Sequence, residues 1–269
     1  MRIVSILNLK GGCGKTYTAV QMGHILNTRY GASVLLVDND KQGNLSKHME
    51  VYRENTQSGV AKLLLGDKDI NSMGLGGLKQ VTSGYAYPLM DIVDANMSLL
   101  TATYQLSGKA PEEQLNRYFP LRAAVAEDEK PYDFVIIDNP PDLGLNVLNA
   151  LAVSDDVIVP VKMDAWAING MDIIRDQIEE IKEINGNLNF MGVLVTMYKN
   201  NDTNVEGIKC LKEKKYKMFD TVIRYSEKAD ESTFFAPIME YSPRSGVARS
   251  YKKFVKEYTE KVGFEKGEH

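Results

Sequence analysis

The stretch that most restricts what this chain can become is LKGGCGKT, residues 9–16, set between an apolar run and a stretch of helical character. Gly11, Gly12 and Gly14 let the backbone curl so that its N–H groups converge, and a helix beginning near Lys15 adds its positive dipole end. A strand, loop and helix in that order suit a polyphosphate. Lys15 can reach the β- and γ-phosphates, the Thr16 hydroxyl can ligate Mg²⁺, and Cys13 and Tyr17 complete the loop. A glycine-rich turn without a ligand leaves the lysine and threonine at that spacing unexplained. Lys10 is a second lysine beside a site that needs one, and a solvated strand-end lysine is its plain alternative.

Apolar runs place strands at 2–7, 33–38, 88–95, 133–138, 156–161 and 191–196. They are short, continuous and rich in Val and Ile, as strands buried on both faces of a parallel sheet are. Helical stretches separate them at 15–29, 97–106, 112–127, 144–152, 165–185 and 203–215, with a further helix at 57–65 and irregular chain from there to Gly84. The expected fold is α/β: a doubly wound, mostly parallel sheet with helices on both faces and one domain over 1–269, ending in a helix at about 244–262. That last helix puts Tyr251, Phe254, Val255, Tyr258 and Val262 on one side, for packing on the domain or for lying on a membrane surface.

Ligands in such folds sit beyond the carboxyl ends of the strands. Two carboxylate clusters end strands there. Asp138 closes YDFVIID, where a carboxylate can hold Mg²⁺ through water, and Asp38 and Asp40 close VLLVDND on a loop able to face the γ-phosphate. Asp and Asn are also common in ordinary turns.

With these motifs in hand, the chain resembles the ParA/MinD family of deviant Walker-type P-loop ATPases, and within it the short ParA/Soj type that moves plasmids or chromosomes. The resemblance rests on KGGCGKTYTA, LLVDNDKQGNLS, YDFVIIDNPPDLGLNVLNAL, DVIVPVKMDAWAINGMD, GVLVTMYKNN and PRSGVARSYKKF, in that order. It implies ATP, ADP and Mg²⁺ as ligands. Lys10 is implied as the signature lysine that crosses to the partner's phosphates in an ATP-bound homodimer, where it would offset repulsion between facing triphosphates. Asp40 is implied to position the attacking water, and Asp38 and Asp138 to serve the metal with Thr16. Met197 and Tyr198, with the VIRYSE segment, are implied at the adenine. A ParB-like protein is implied as the partner that stimulates slow hydrolysis, and non-specific DNA as what the dimer binds.

Three positions depart from that pattern: Lys41 stands where the family commonly has proline, Asn139 where it has threonine, and Cys13 in a variable slot. A thiol at a helix start is either a small filler or a reactive group of lowered pKa.

The formal charge of −4 argues against a chain coated for nucleic acid, yet positive charge gathers toward the carboxyl end: +3 over Lys199–Lys228 and +4 over Arg244–Tyr258. Lys214, Lys215, Lys228, Arg249 and Lys252 are the candidate DNA contacts, Lys228 because the resemblance places a basic residue there; a solvated helix face is the alternative. The two cysteines lack metal or disulfide spacing and point to a cytoplasmic protein. The sequence shows no helix-turn-helix segment before the first strand, which argues against operator binding. A membrane-bound positioning ATPase is the competing expectation, disfavoured by the acids in KVGFEKGEH. An iron–sulfur reductase is disfavoured by having just two cysteines.

Overall fold

The computed structural model describes residues 1–68, 90–123, 132–164 and 167–265, with 167–169 described by backbone alone. Six strands, β1 (Arg2–Ile6), β2 (Val34–Asp38), β3 (Met90–Val93), β4 (Phe134–Asp138), β5 (Asp156–Lys162) and β6 (Asn189–Thr196), form one sheet in the order β3-β2-β4-β1-β5-β6. Every pair is parallel. Strands joined this way need crossovers, and helices supply them: α1 (Lys15–Tyr30), α2 (Asn44–His48), α3 (Gly59–Leu65), α4 (Ser98–Ser107), α5 (Pro111–Gln114), α6 (Leu145–Val153), α7 (Ala167–Lys182), α8 (Asp202–Glu213), α9 (Glu227–Ser232), α10 (Ile238–Tyr241) and α11 (Gly246–Val262).

Alternation along each strand sends side chains to two layers. Val4, Ile6, Leu36 and Ile136 meet α1 and α11, where Tyr251, Phe254, Val255 and Tyr258 are buried and Val262 packs beside them. Ile3, Leu35, Val135 and Ile137 face the opposite layer with Val60, Leu64 and Leu99. The apolar side of α11 is therefore spent inside the protein, which removes the membrane-surface reading of that helix. Among the described residues no helix is long and apolar enough to cross a membrane.

The expected helix at 112–127 is corrected. The chain makes one turn, α5, reverses through Asn116 at φ 66, and resumes as a 3₁₀ turn at Phe119–Ala123. Pro120 lacks the N–H a continuous helix would need at that point. Residues 124–127 lie outside the described residues, as do 69–84 of the expected irregular stretch and the start of the strand expected at 88. The helix α2 was not anticipated; five residues are too few to show a period.

Residues 218–224 run parallel to β6 through isolated pairings of Met218 with Val193 and of Arg224 with Tyr198. This run carries the chain from beside the middle of β6 to just past its carboxyl end and sets where the basic residues fall.

Candidate nucleotide site

β1 delivers the glycine loop to the carboxyl edge of the sheet, beside the ends of β2 and β4. Gly12 at φ 68 and Gly14 at φ 89 adopt the left-handed backbone that the curl demands. The Thr196 hydroxyl donates to the Cys13 carbonyl at 2.7 Å, tying the loop to β6. Lys15 is 8% exposed and its Nζ donates to the Lys10 carbonyl at 3.0 Å, bridging the mouth of the loop.

Above the loop lies a cavity of about 820 Å³. Gly11, Gly12, Gly14, Lys15, Thr16, Asp40, Lys41 and Asp142 line it together with Tyr17, Met197, Ile223, Arg224, Tyr225, Ser226, Val247 and Tyr251. A cavity that joins a glycine loop and charged side chains to apolar and aromatic ones suits a nucleoside polyphosphate. Met197 and, from the VIRYSE segment, Ile223 to Ser226 are among its lining residues.

Asp138 is buried and one of its oxygens, Oδ1, has no hydrogen-bond partner, while the Thr16 hydroxyl bonds to its carboxylate. Burial, then the nearby Asp38, push the Asp138 carboxyl well above its usual range. An orphaned buried carboxylate oxygen next to a hydroxyl fits a magnesium ion, which takes one or two protein oxygens and completes its shell with phosphate and water. Among the described residues no group of three His, Cys, Asp or Glu could hold a metal unaided, which agrees with a site shared with phosphate.

Other expected site residues are placed differently. Asp38 does not line the cavity: one oxygen accepts from the Asp40 N–H at 3.2 Å, the other from the Ser46 N–H at 2.8 Å and hydroxyl at 2.7 Å. It anchors the turn that presents Asp40, and burial pushes its pKa up to about 6. Tyr198 packs its ring into the β5–β6 core on the far layer and holds the cavity wall through backbone bonds with Ile223 at 2.9 Å and Tyr225 at 3.0 Å. Cys13 is buried beneath the loop with its thiol donating to the Lys10 carbonyl at 3.2 Å. Burial pushes that thiol up, which favours the small-filler reading over the reactive thiolate.

The Lys10 ammonium forms an ion pair with Asp164, just past the end of β5, and both side chains stay partly exposed. Asp164 was not anticipated. The basic residues divide into two groups. Lys214 pairs with Asp172 at 2.8 Å, and Lys215 follows it at φ 59, both near the amino end of β6. Lys228 lies beyond the carboxyl end on α9, paired with Glu231 at 2.7 Å. Arg249 is exposed and Lys252 half-buried on the first turns of α11, whose start lies against Arg224.

A family model described as an AAA domain matches residues 1–190. The sporulation initiation inhibitor Soj of Bacillus subtilis is 34% identical, over 95% of this chain and 97% of that protein. The chromosome-partitioning ATPase Soj of Thermus thermophilus is 33% identical over 97% of each. The chain belongs to the Soj/ParA family of partitioning ATPases.

A solved structure of cobyrinic acid a,c-diamide synthase from Mycobacterium smegmatis with ADP and magnesium is 26% identical, covers 100% of this chain and 99% of that one, and superposes with a TM-score of 0.76. Within the Soj/ParA frame, the departure at Asn139 has a structural account. Its Oδ1 accepts from Asn39 at 2.8 Å, Asn39 accepts from the Tyr118 hydroxyl at 2.6 Å, and Asn146 donates to the Asn39 carbonyl at 2.9 Å. This buried network, absent from the sequence reading, locks the ends of β2 and β4 together beside the site.

Proposed function

We propose that this Soj/ParA-family chain binds ATP with Mg²⁺, dimerises in that state, binds DNA without sequence preference, and is returned to the monomer by hydrolysis that a ParB-like partner accelerates. The observation that carries the reading is the pairing of a buried Lys15 over the loop with a Lys10 whose ammonium points away to Asp164. The backbone N–H groups of the loop and Lys15 bind the phosphates. Thr16 and Asp138 would hold magnesium, which would supply neutralisation of phosphate charge when bound. Asp40, on the turn fixed by Asp38, orients water toward the γ-phosphate. Met197, Ile223 and Tyr17 enclose the base. Catalysis by positioning in this way is slow until a partner completes the charge stabilisation.

A dimer of this kind works in the cytoplasm on the nucleoid. DNA contact falls to the basic residues near the carboxyl end of the sheet, Lys228, Arg249 and Lys252, because they neighbour the nucleotide cavity and can report its state. Light scattering of the purified protein with Mg²⁺ and no nucleotide, ADP or a non-hydrolysable ATP analogue tests the switch. A mass that doubles with the ATP analogue alone is expected; an unchanged mass in all three states overturns it.

A further inference from the structure

Asp40 to Gly43 form a four-residue turn: the Asp40 carbonyl accepts from the Gly43 N–H at 2.8 Å, and the Asp40 side chain accepts from the Gln42 N–H at 2.9 Å. Gly43 sits at φ 62, and an added Cβ would lie 2.6 Å from the Tyr52 ring and 2.7 Å from the Ala95 carbonyl. The turn is thus pinned from both sides. Lys41 occupies its second position, which accepts proline and most other residues alike. Nothing in the backbone calls for a lysine.

Lys41 lines the cavity together with Gly11, Gly12 and its neighbour Asp40. It is half-buried and makes no hydrogen bond, ion pair or ring contact with any described residue. Of the other cations lining the cavity, Lys15 is engaged with the Lys10 carbonyl and Lys47 with the Gln42 carbonyl at 2.8 Å and the Tyr52 ring, while Arg224, on the run beside β6, makes no ion pair with any described residue. For a half-buried lysine next to Asp40 in the lining of a phosphate-binding cavity, the natural counter-charge is the end of the polyphosphate farthest from the base.

We infer that Lys41 is a γ-phosphate-directed cation supplied in cis, a positioning and specificity residue that sharpens the preference for a nucleoside triphosphate over a diphosphate. The inference rests on the nucleotide reading of the cavity. A charge placed against the γ-phosphate strengthens ATP binding and leaves ADP nearly untouched, because the shorter chain does not extend to it.

The test is equilibrium binding of Mg²⁺ with a non-hydrolysable ATP analogue and with ADP, for wild type, Lys41→Ala, Lys41→Pro and Lys41→Arg, at low and high potassium chloride. Lys41→Ala and Lys41→Pro should weaken the ATP analogue about tenfold and ADP less than about twofold, with the gap narrowing in high salt. Lys41→Arg should keep most of the discrimination. Proline suits the turn, so its loss of selectivity cannot be put down to misfolding. Equal losses for both nucleotides, or no loss in Lys41→Ala, overturn the inference while leaving the site intact. A wild type that binds neither nucleotide overturns both.

Discussion

Lys10 and Lys15 are five residues apart, yet burial gives them different work. Lys15 is 8% exposed and fixed over the loop, whereas the Lys10 side chain is 40% exposed and held by an ion pair with Asp164. Lys15→Ala should lower nucleotide affinity by about a hundredfold, the loss of a charge-assisted phosphate contact, as fluorescence titration would read. Lys10→Ala should keep nucleotide affinity within about threefold and lose the ATP-dependent dimer. Removing the carboxylate should act the other way: Asp164→Asn frees Lys10, and half-dimerisation with the ATP analogue should move to about three- to tenfold lower protein concentration. An unmoved midpoint would discard Asp164 as a restraint. A simpler check concerns the thiols. Cys13 is buried with a raised pKa and Cys210 is partly exposed, so Cys210 should react with a disulfide reagent at least about tenfold faster in the folded protein. Lys10, Lys15 and Thr16 were legible because the chain itself sets their spacing. Asn39, Asn139 and Tyr118 were not, since their contact joins residues about a hundred positions apart and no local pattern announces it.

The elements themselves were legible where burial on both faces leaves a mostly apolar run, as in β2 (VLLVD) and β4 (FVIID), and where a helix keeps one long apolar side, as α11 does. Local punctuation defeated the reading elsewhere: Asn116 and Pro120 break what periodicity alone extends to residue 127. One packing contact between elements has a pH signature. His24 on α1 is 2% exposed, and burial lowers its pKa to about 4. Glu240 on α10 approaches its Nε2 at 3.3 Å, but that carboxylate is 37% exposed and solvated, so burial dominates and the ring is neutral. The folded state then binds fewer protons than the unfolded chain between pH 6.5 and 4. Stability from this site is present above pH 6.5 and lost as pH falls through that window, by up to about 3 kcal/mol. Denaturant melts of wild type and His24→Leu across pH 4 to 7 should show the variant losing less stability on acidification. Parallel curves would mean that the ring is not the titrating group.

At the scale of the molecule, the sheet decides what the charge pattern of the sequence means. Read along the chain, the lysines from Lys199 onward look like one basic tract, but residues 218–224 run beside the second half of β6 and past its end and separate them. From the Val193 pairing to the Tyr198 pairing is about 17 Å of strand, with Lys214 and Lys215 before it and Lys228 after it. Pairing sorts them further. Lys214 is matched by Asp172 and Lys228 by Glu231, while the Arg249 guanidinium makes no ion pair with any described residue. A duplex resting on the carboxyl end would feel Arg249 most, Lys228 with part of its charge offset, and Lys214 least. Filter binding of a random-sequence duplex with the ATP analogue should show affinity falling linearly with salt on logarithmic axes. Arg249→Glu should cost about tenfold or more and flatten that slope by about two, one lost phosphate contact per subunit of a dimer. Lys214→Glu should stay within about twofold. Equal losses for the two variants would place DNA across both ends of the sheet, and an absence of binding in every nucleotide state would leave these side chains as solvated charge on a protein that finds its cargo another way.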